Sequence, residues 1–210
     1  MRRFIICAAT LLVVSGSRAH AAAAPPPRPI VVELCDLEQL AHGVLATAQG
    51  ALRRTFERIG VKVMIVPCGE RLDRFGSDPF RVAVVVLRAN SGGPARIPAV
   101  ALGAASATVE RAPTVWIFFY RIERTAHRAA VDPALVLGHV VAHEIAHVLI
   151  PEARHGPSGL MREVWRSVEL VDAAQGQLRF ADEEASEIRR RLRTPSASTL
   201  TAAAAETAIE

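Results

Sequence analysis

"LGHVVAHEIAHVLIPEARHGPSGLM", residues 137–161, decides how the rest of this chain reads. It holds four histidines, His139, His143, His147 and His155. Just before it, Asp132 is suited to a helix N-cap and Pro133 to the first helical position, and Pro151 is a stop. The helix between them is apolar over most of its surface, so it is expected to be buried. Within it, His143-Glu144-Ile145-Ala146-His147 has the spacing H-E-x-x-H. Residues four apart lie one above the other on a helix, so His143 and His147 can grip one zinc ion. Glu144 is one residue round from His143, able to reach a water on the metal without taking a coordination site. Zinc lowers the pKa of such a water, and the glutamate can take its proton and hand it to a leaving amine.

A catalytic zinc commonly keeps three protein ligands and one open position. His155 is the favoured third ligand, because Gly156, Pro157 and Gly159 let the chain turn sharply there. Glu163 and Glu169 stand as the alternatives. His139 is also four residues from His143, but Val140 occupies the place a base would need, so His139 is expected in the core. His42 is expected to be structural and His127 to lie on the surface.

Working outward, "PIVVELC" and "VKVMIV" read as strands, with a long amphipathic helix between them from Leu37, capped by Asp36 and stopped by Gly60. "RVAVVVL" is a buried strand, "AVALGAAS" a weaker one and "TVWIFFY" a stronger one. Residues 121–130 are expected as a short helix. "DEEASEIRRRLR" has acids first and arginines last, the order the helix dipole favours. The expectation is one α/β (α+β) domain over residues 30–193, with a twisted mixed sheet of four to five strands, a long first helix, an active-site helix and a C-terminal helix.

The flanks read differently. Arg2 and Arg3, an apolar run over residues 4–14 and the small residues Ala19 and Ala21 have the form of a signal peptide, expected to end at residue 21. Residues 22–29, "AAAPPPRP", read as an extended linker, and residues 194–210 as a disordered tail. Cleavage would remove Cys7 and leave Cys35 and Cys68. In an exported chain these suggest one disulfide, because both follow the same ends of two strands expected to be parallel neighbours. The formal charge of +4 becomes +1 without Arg2, Arg3 and Arg18, with 22 basic residues against 21 acidic. No basic stripe interleaved with aromatics is present, which argues against a nucleic-acid partner. The signal's apolar run is too short to remain as a membrane span, so the mature chain is expected in the periplasm or outside the cell, without stable membrane insertion.

The order "HEIAH", a following histidine, then "SGLM" resembles the metzincin clan of zinc endopeptidases, which includes matrix metalloproteinases, astacins and archaemetzincins. "HEIAHVLIPEARHGPSGLMREVW" is more closely similar to small exported bacterial metzincin-like proteins with an H-E-I-G-H…H-S-x-x-G-I-M pattern. The resemblance implies a metzincin-like zincin domain. It also implies zinc on His143, His147 and His155, Glu144 as catalytic base, Met161 in a methionine turn, and a peptide or protein substrate paired along an edge strand. Residues 99–105 are the candidate edge. The sequence departs from the clan at Ile150, where the clan has glycine, and in the eight residues from His147 to His155, where the clan has six. An exported zinc endopeptidase is the first expectation. A non-catalytic zinc-binding or interaction module on the same fold is the alternative, disfavoured because Glu144 is retained.

Overall fold

The computed structural model describes residues 25–71, 75, 78–87, 97–98, 100–108, 111–152 and 154–194. The expected signal segment and nearly all of the expected tail lie outside them. Five strands, β1 (Ile30–Asp36), β2 (Val63–Pro67), β3 (Phe80–Leu87), β4 (Gly103–Thr108) and β5 (Arg111–Phe118), form one mixed sheet in the order β2-β1-β3-β5-β4. All neighbours are parallel except β4, which runs antiparallel to β5 at the sheet edge. Five helices accompany it: α1 (His42–Glu57), α2 (Phe119–Ala129), α3 (Pro133–Leu149), α4 (Ser167–Ala174) and α5 (Asp182–Arg193). The expected α/β architecture is therefore present.

Period-two burial builds the core. Val82, Val84 and Val86 of β3 and Val115 and Ile117 of β5 are buried, while the residues between them on each strand are only partly so. The buried set joins Ile30 and Val32 of β1, Leu52 and Phe56 of α1, and Val141 and Ile145 of α3 in one apolar cluster. α1 and α3 touch at Gly138. A Cβ there would fall 2.4 Å from the Ala48 carbonyl oxygen and 2.7 Å from the Ala51 Cβ, so only glycine permits this approach.

The helix signals held where local chemistry decides. The Asp132 side chain accepts a hydrogen bond from the Ala134 amide at 2.8 Å, with Pro133 opening α3. Elsewhere the boundaries moved. Asp36 does not cap α1; its carboxylate accepts from the Glu38 and Leu40 amides at 3.1 and 2.8 Å, holding a turn, and α1 begins at His42. α1 ends at Glu57, and Gly60, the expected stop, closes the turn that follows with φ at +71°. Phe119 and Tyr120, which read as the end of the fifth strand, instead open α2. β4 begins at Gly103, so the expected edge segment 99–105 overlaps the edge strand only at its end. Residues 25–29 run beside α5: the Arg28 amide donates to the Leu192 carbonyl at 2.8 Å, and the Arg28 guanidinium pairs with Asp78 at 3.0 Å.

Cys35 and Cys68 form the expected disulfide, at the carboxyl ends of the parallel neighbours β1 and β2. It closes a loop spanning 33 positions that contains all of α1. Loop closure of that size stabilises by about 3–4 kcal/mol in the chain-entropy picture. A Cys35→Ser/Cys68→Ser double variant is expected to unfold at lower urea concentration by about that free energy, measured by circular dichroism. No helix among the described residues is long and apolar enough to cross a membrane.

Candidate metal centre

α3 carries the first two histidines of the site. His143 is buried and His147 half-buried on the same helix, one turn apart. His155 comes from the loop beyond Ile150 and is exposed. The Nε2 atoms of His143 and His147 are 3.0 Å apart, as are those of His147 and His155. The three rings offer nitrogens that all lie within 4.8 Å of one another.

The loop is closed by its own backbone. The Gly156 amide donates to the Met161 carbonyl at 2.9 Å, which fixes the residue after His155 against the buried Met161. The carbonyl of Leu160, just before Met161, accepts from the His143 Nδ1–H at 2.7 Å and from the Trp165 indole at 3.2 Å. The Trp165 ring stands edge-on to His143, 6.1 Å between centroids. With the His143 proton on Nδ1, its Nε2 presents a lone pair to the other two rings.

Electrostatics reinforce that reading. Burial pushes the His143 pKa down to about 4; the Leu160 carbonyl opposes this, and His147 and His155 add to it. Burial, with repulsion from His155, brings His147 to about 4 as well. Both rings are thus neutral at pH 7, the state that binds a metal. Three neutral rings cannot satisfy this geometry alone. One shared proton serves one of the two 3.0 Å contacts and leaves lone pairs opposed at the other. A cation between them satisfies all three, so the residues present fit a single metal ion.

Glu144 lines the same cleft, of about 790 Å³, together with all three histidines. It is only 8 % exposed, and burial raises its pKa to about 8. Its carboxyl group rests against Gly103 at the start of β4, beside Ile117 at the carboxyl end of β5. A Cβ at position 103 would sit 2.7 Å from the Glu144 Cγ and 2.8 Å from its Oε1. The sequence signal for this was a glycine inside a weak strand, a usual mark of close approach. Its partner across the fold was not visible in the sequence.

The alternative ligands are engaged otherwise. Glu169 is 4 % exposed, takes the Arg162 guanidinium at 2.9 Å, and accepts from the Arg166 amide at 2.8 Å. It braces the segment after Met161 instead of facing the rings. Glu163 lines the cleft but does not belong to the histidine group. His139 is buried, hydrogen-bonded through Nδ1 to the Leu135 carbonyl at 2.8 Å, and outside the group. His127 and His42 are on the surface. Glu33 approaches the Cys35–Cys68 pair, but those sulfurs are spent in the disulfide and Glu33 accepts from the Gly69 amide at 2.6 Å.

No protein-family model matches the chain, and no curated protein matches it.

Proposed function

We propose that the chain is a metal-dependent hydrolase, with its metal held by His143, His147 and His155. More narrowly, we propose a zinc endopeptidase of the metzincin type, working outside the cytoplasm. The observation that carries this is the convergence of three imidazole nitrogens beside one buried carboxylate, all in one cleft. Zinc suits the donor set: four-coordinate zinc with bonds of about 2.0–2.1 Å spaces its nitrogens by roughly 3.3 Å, close to the 3.0 Å separations here. Export agrees with the disulfide, which forms and persists in oxidising compartments.

When bound, zinc supplies a lowered water pKa and polarises a carbonyl. The chain's own residues supply the rest. The Leu160 carbonyl and Trp165 hold the His143 ring in one orientation and tautomer. Glu144 holds the proton taken from the attacking water and gives it to the leaving amine; in the metal-free protein burial raises its pKa to about 8. A divalent cation nearby would draw that value down. β4, at the sheet edge, offers main-chain groups to an extended peptide.

Incubation of the zinc-loaded chain from residue 22 onward with a mixed peptide library, beside the metal-free protein, tests the reading. Internal cleavage by the loaded form alone supports it. Zinc bound with no cleavage overturns it in favour of a binding module. Gly103→Ala gives a sharper expectation. The new methyl would meet Glu144 at Cγ, Oε1 and Cδ, so the buried glutamate must shift; zinc content should be kept, while turnover should fall by about 10–100-fold through misplacement of the base.

A further inference from the structure

The cleft is asymmetric in charge. Its lining includes four arginines, Arg121, Arg124, Arg128 and Arg162, against two glutamates, Glu144 and Glu163. Two of the arginines are structural. Arg162 is paired with the buried Glu169. Arg121 donates to the carbonyls of Pro98 and Ala101 at 2.8 and 2.6 Å, tying α2 to the segment that leads into β4.

Arg124 and Arg128 are different. They lie four residues apart on α2, hence on one face of it, and both are exposed. Arg124 stacks over the Tyr120 ring, 5.6 Å from its centroid, and neither guanidinium forms an ion pair among the described residues. The helix dipole accounts for a cation at Arg128, in the last turn, but not for Arg124 in the middle of the helix. Glu123 is the acid nearest in sequence and points about 100° round the helix from Arg124. Two exposed forked donors lining the cleft favour a carboxylate, which each can bind through two parallel hydrogen bonds.

We propose that the Arg124–Arg128 face of α2 is a substrate subsite that selects peptides carrying an aspartate or glutamate side chain. This rests on the endopeptidase reading for the meaning of "substrate". The binding step, however, is measurable without turnover. Zinc-loaded Glu144→Gln protein is titrated with short fluorescent peptides in which Asp, Asn or Lys is scanned along the sequence, and anisotropy gives the Kd. At one position the Asp peptide should bind about fivefold more tightly than the Asn peptide, from two exposed charge pairs. The gap should shrink as salt is raised. In an Arg124→Glu/Arg128→Glu background the preference should pass to the Lys peptide at that position, with the melting temperature reporting that the fold is kept. Equal binding of the three peptides at every position overturns the proposal, as does a Lys preference with both arginines in place. The unsubstituted enzyme is assayed on the same peptides. Cleavage without charge preference removes the subsite and leaves the endopeptidase. Asp-selective binding without cleavage removes the endopeptidase and leaves an anion-selective peptide groove.

Discussion

Glu144→Gln is expected to lower peptide cleavage by about 10²–10⁴-fold while the protein binds zinc with unchanged stoichiometry. The substitution keeps the shape of the side chain, so the Gly103 contact and the histidine cluster are preserved; what it removes is the proton acceptor. Initial rates on one internally quenched peptide, with zinc content by atomic absorption, give both numbers. An unchanged rate would end the role assigned to Glu144. Stability should move the opposite way in the metal-free proteins. Burial raises the Glu144 pKa from 4.5 to about 8. A group raised on folding contributes stability that is complete below its unfolded pKa and is lost as pH rises through its folded pKa. The metal-free Gln variant should therefore gain on the metal-free wild type as pH climbs from 4.5 through about 8, read from urea midpoints.

His147→Ala should abolish metal-linked behaviour. His147 is the middle ring, with its Nε2 at 3.0 Å from both others. Loss of a partner that merely orients a ligand costs about 10–100-fold in affinity, so loss of this ligand should exceed about 100-fold. Zinc at a thousand times its Kd stabilises a folded protein by about 4 kcal/mol, and the variant should lose that increment. His139→Ala separates a ligand from a buried histidine: it should lower stability and leave zinc stoichiometry intact. Acid acts on the same cluster. Burial holds His143 and His147 at about 4 instead of 6.5. Their depressed values contribute stability that is present above pH 6.5 and lost as pH falls through about 4. The metal-free protein should weaken over that window, and denaturant titrations at stepped pH would show it.

What the sequence made legible was chemistry confined to a few neighbouring residues. Asp132-Pro133 marked the start of α3, the acid-to-arginine gradient marked α5, and H-E-x-x-H set two rings on one face. Failures came where residue type alone leaves a side chain's partner open. Asp36 looks like a cap by type, yet its carboxylate serves a turn that delays α1 to His42. Phe119 and Tyr120 continue an apolar run, but the chain leaves the sheet at Phe118 and the run divides between β5 and α2. α4 was not expected at all. It is short, and its opening rests on Glu169 reaching the Arg166 amide and the Arg162 guanidinium, a role indistinguishable in sequence from that of a possible ligand. The eight-residue step to His155 could not be judged by spacing. Its resolution is the Gly156–Met161 hydrogen bond, which folds the longer loop back toward α3.

The shared carbonyl of Leu160 gives the centre an optical handle. The chain has two tryptophans, Trp116 in β5 and Trp165, and only the second shares an acceptor with a histidine of the cluster. Its indole stands edge-on to that ring, close enough for a paramagnetic ion such as cobalt(II) in the cluster to quench its emission. A Trp116→Phe background would make Trp165 the sole source of indole fluorescence, so that filling of the centre could be followed in real time without substrate.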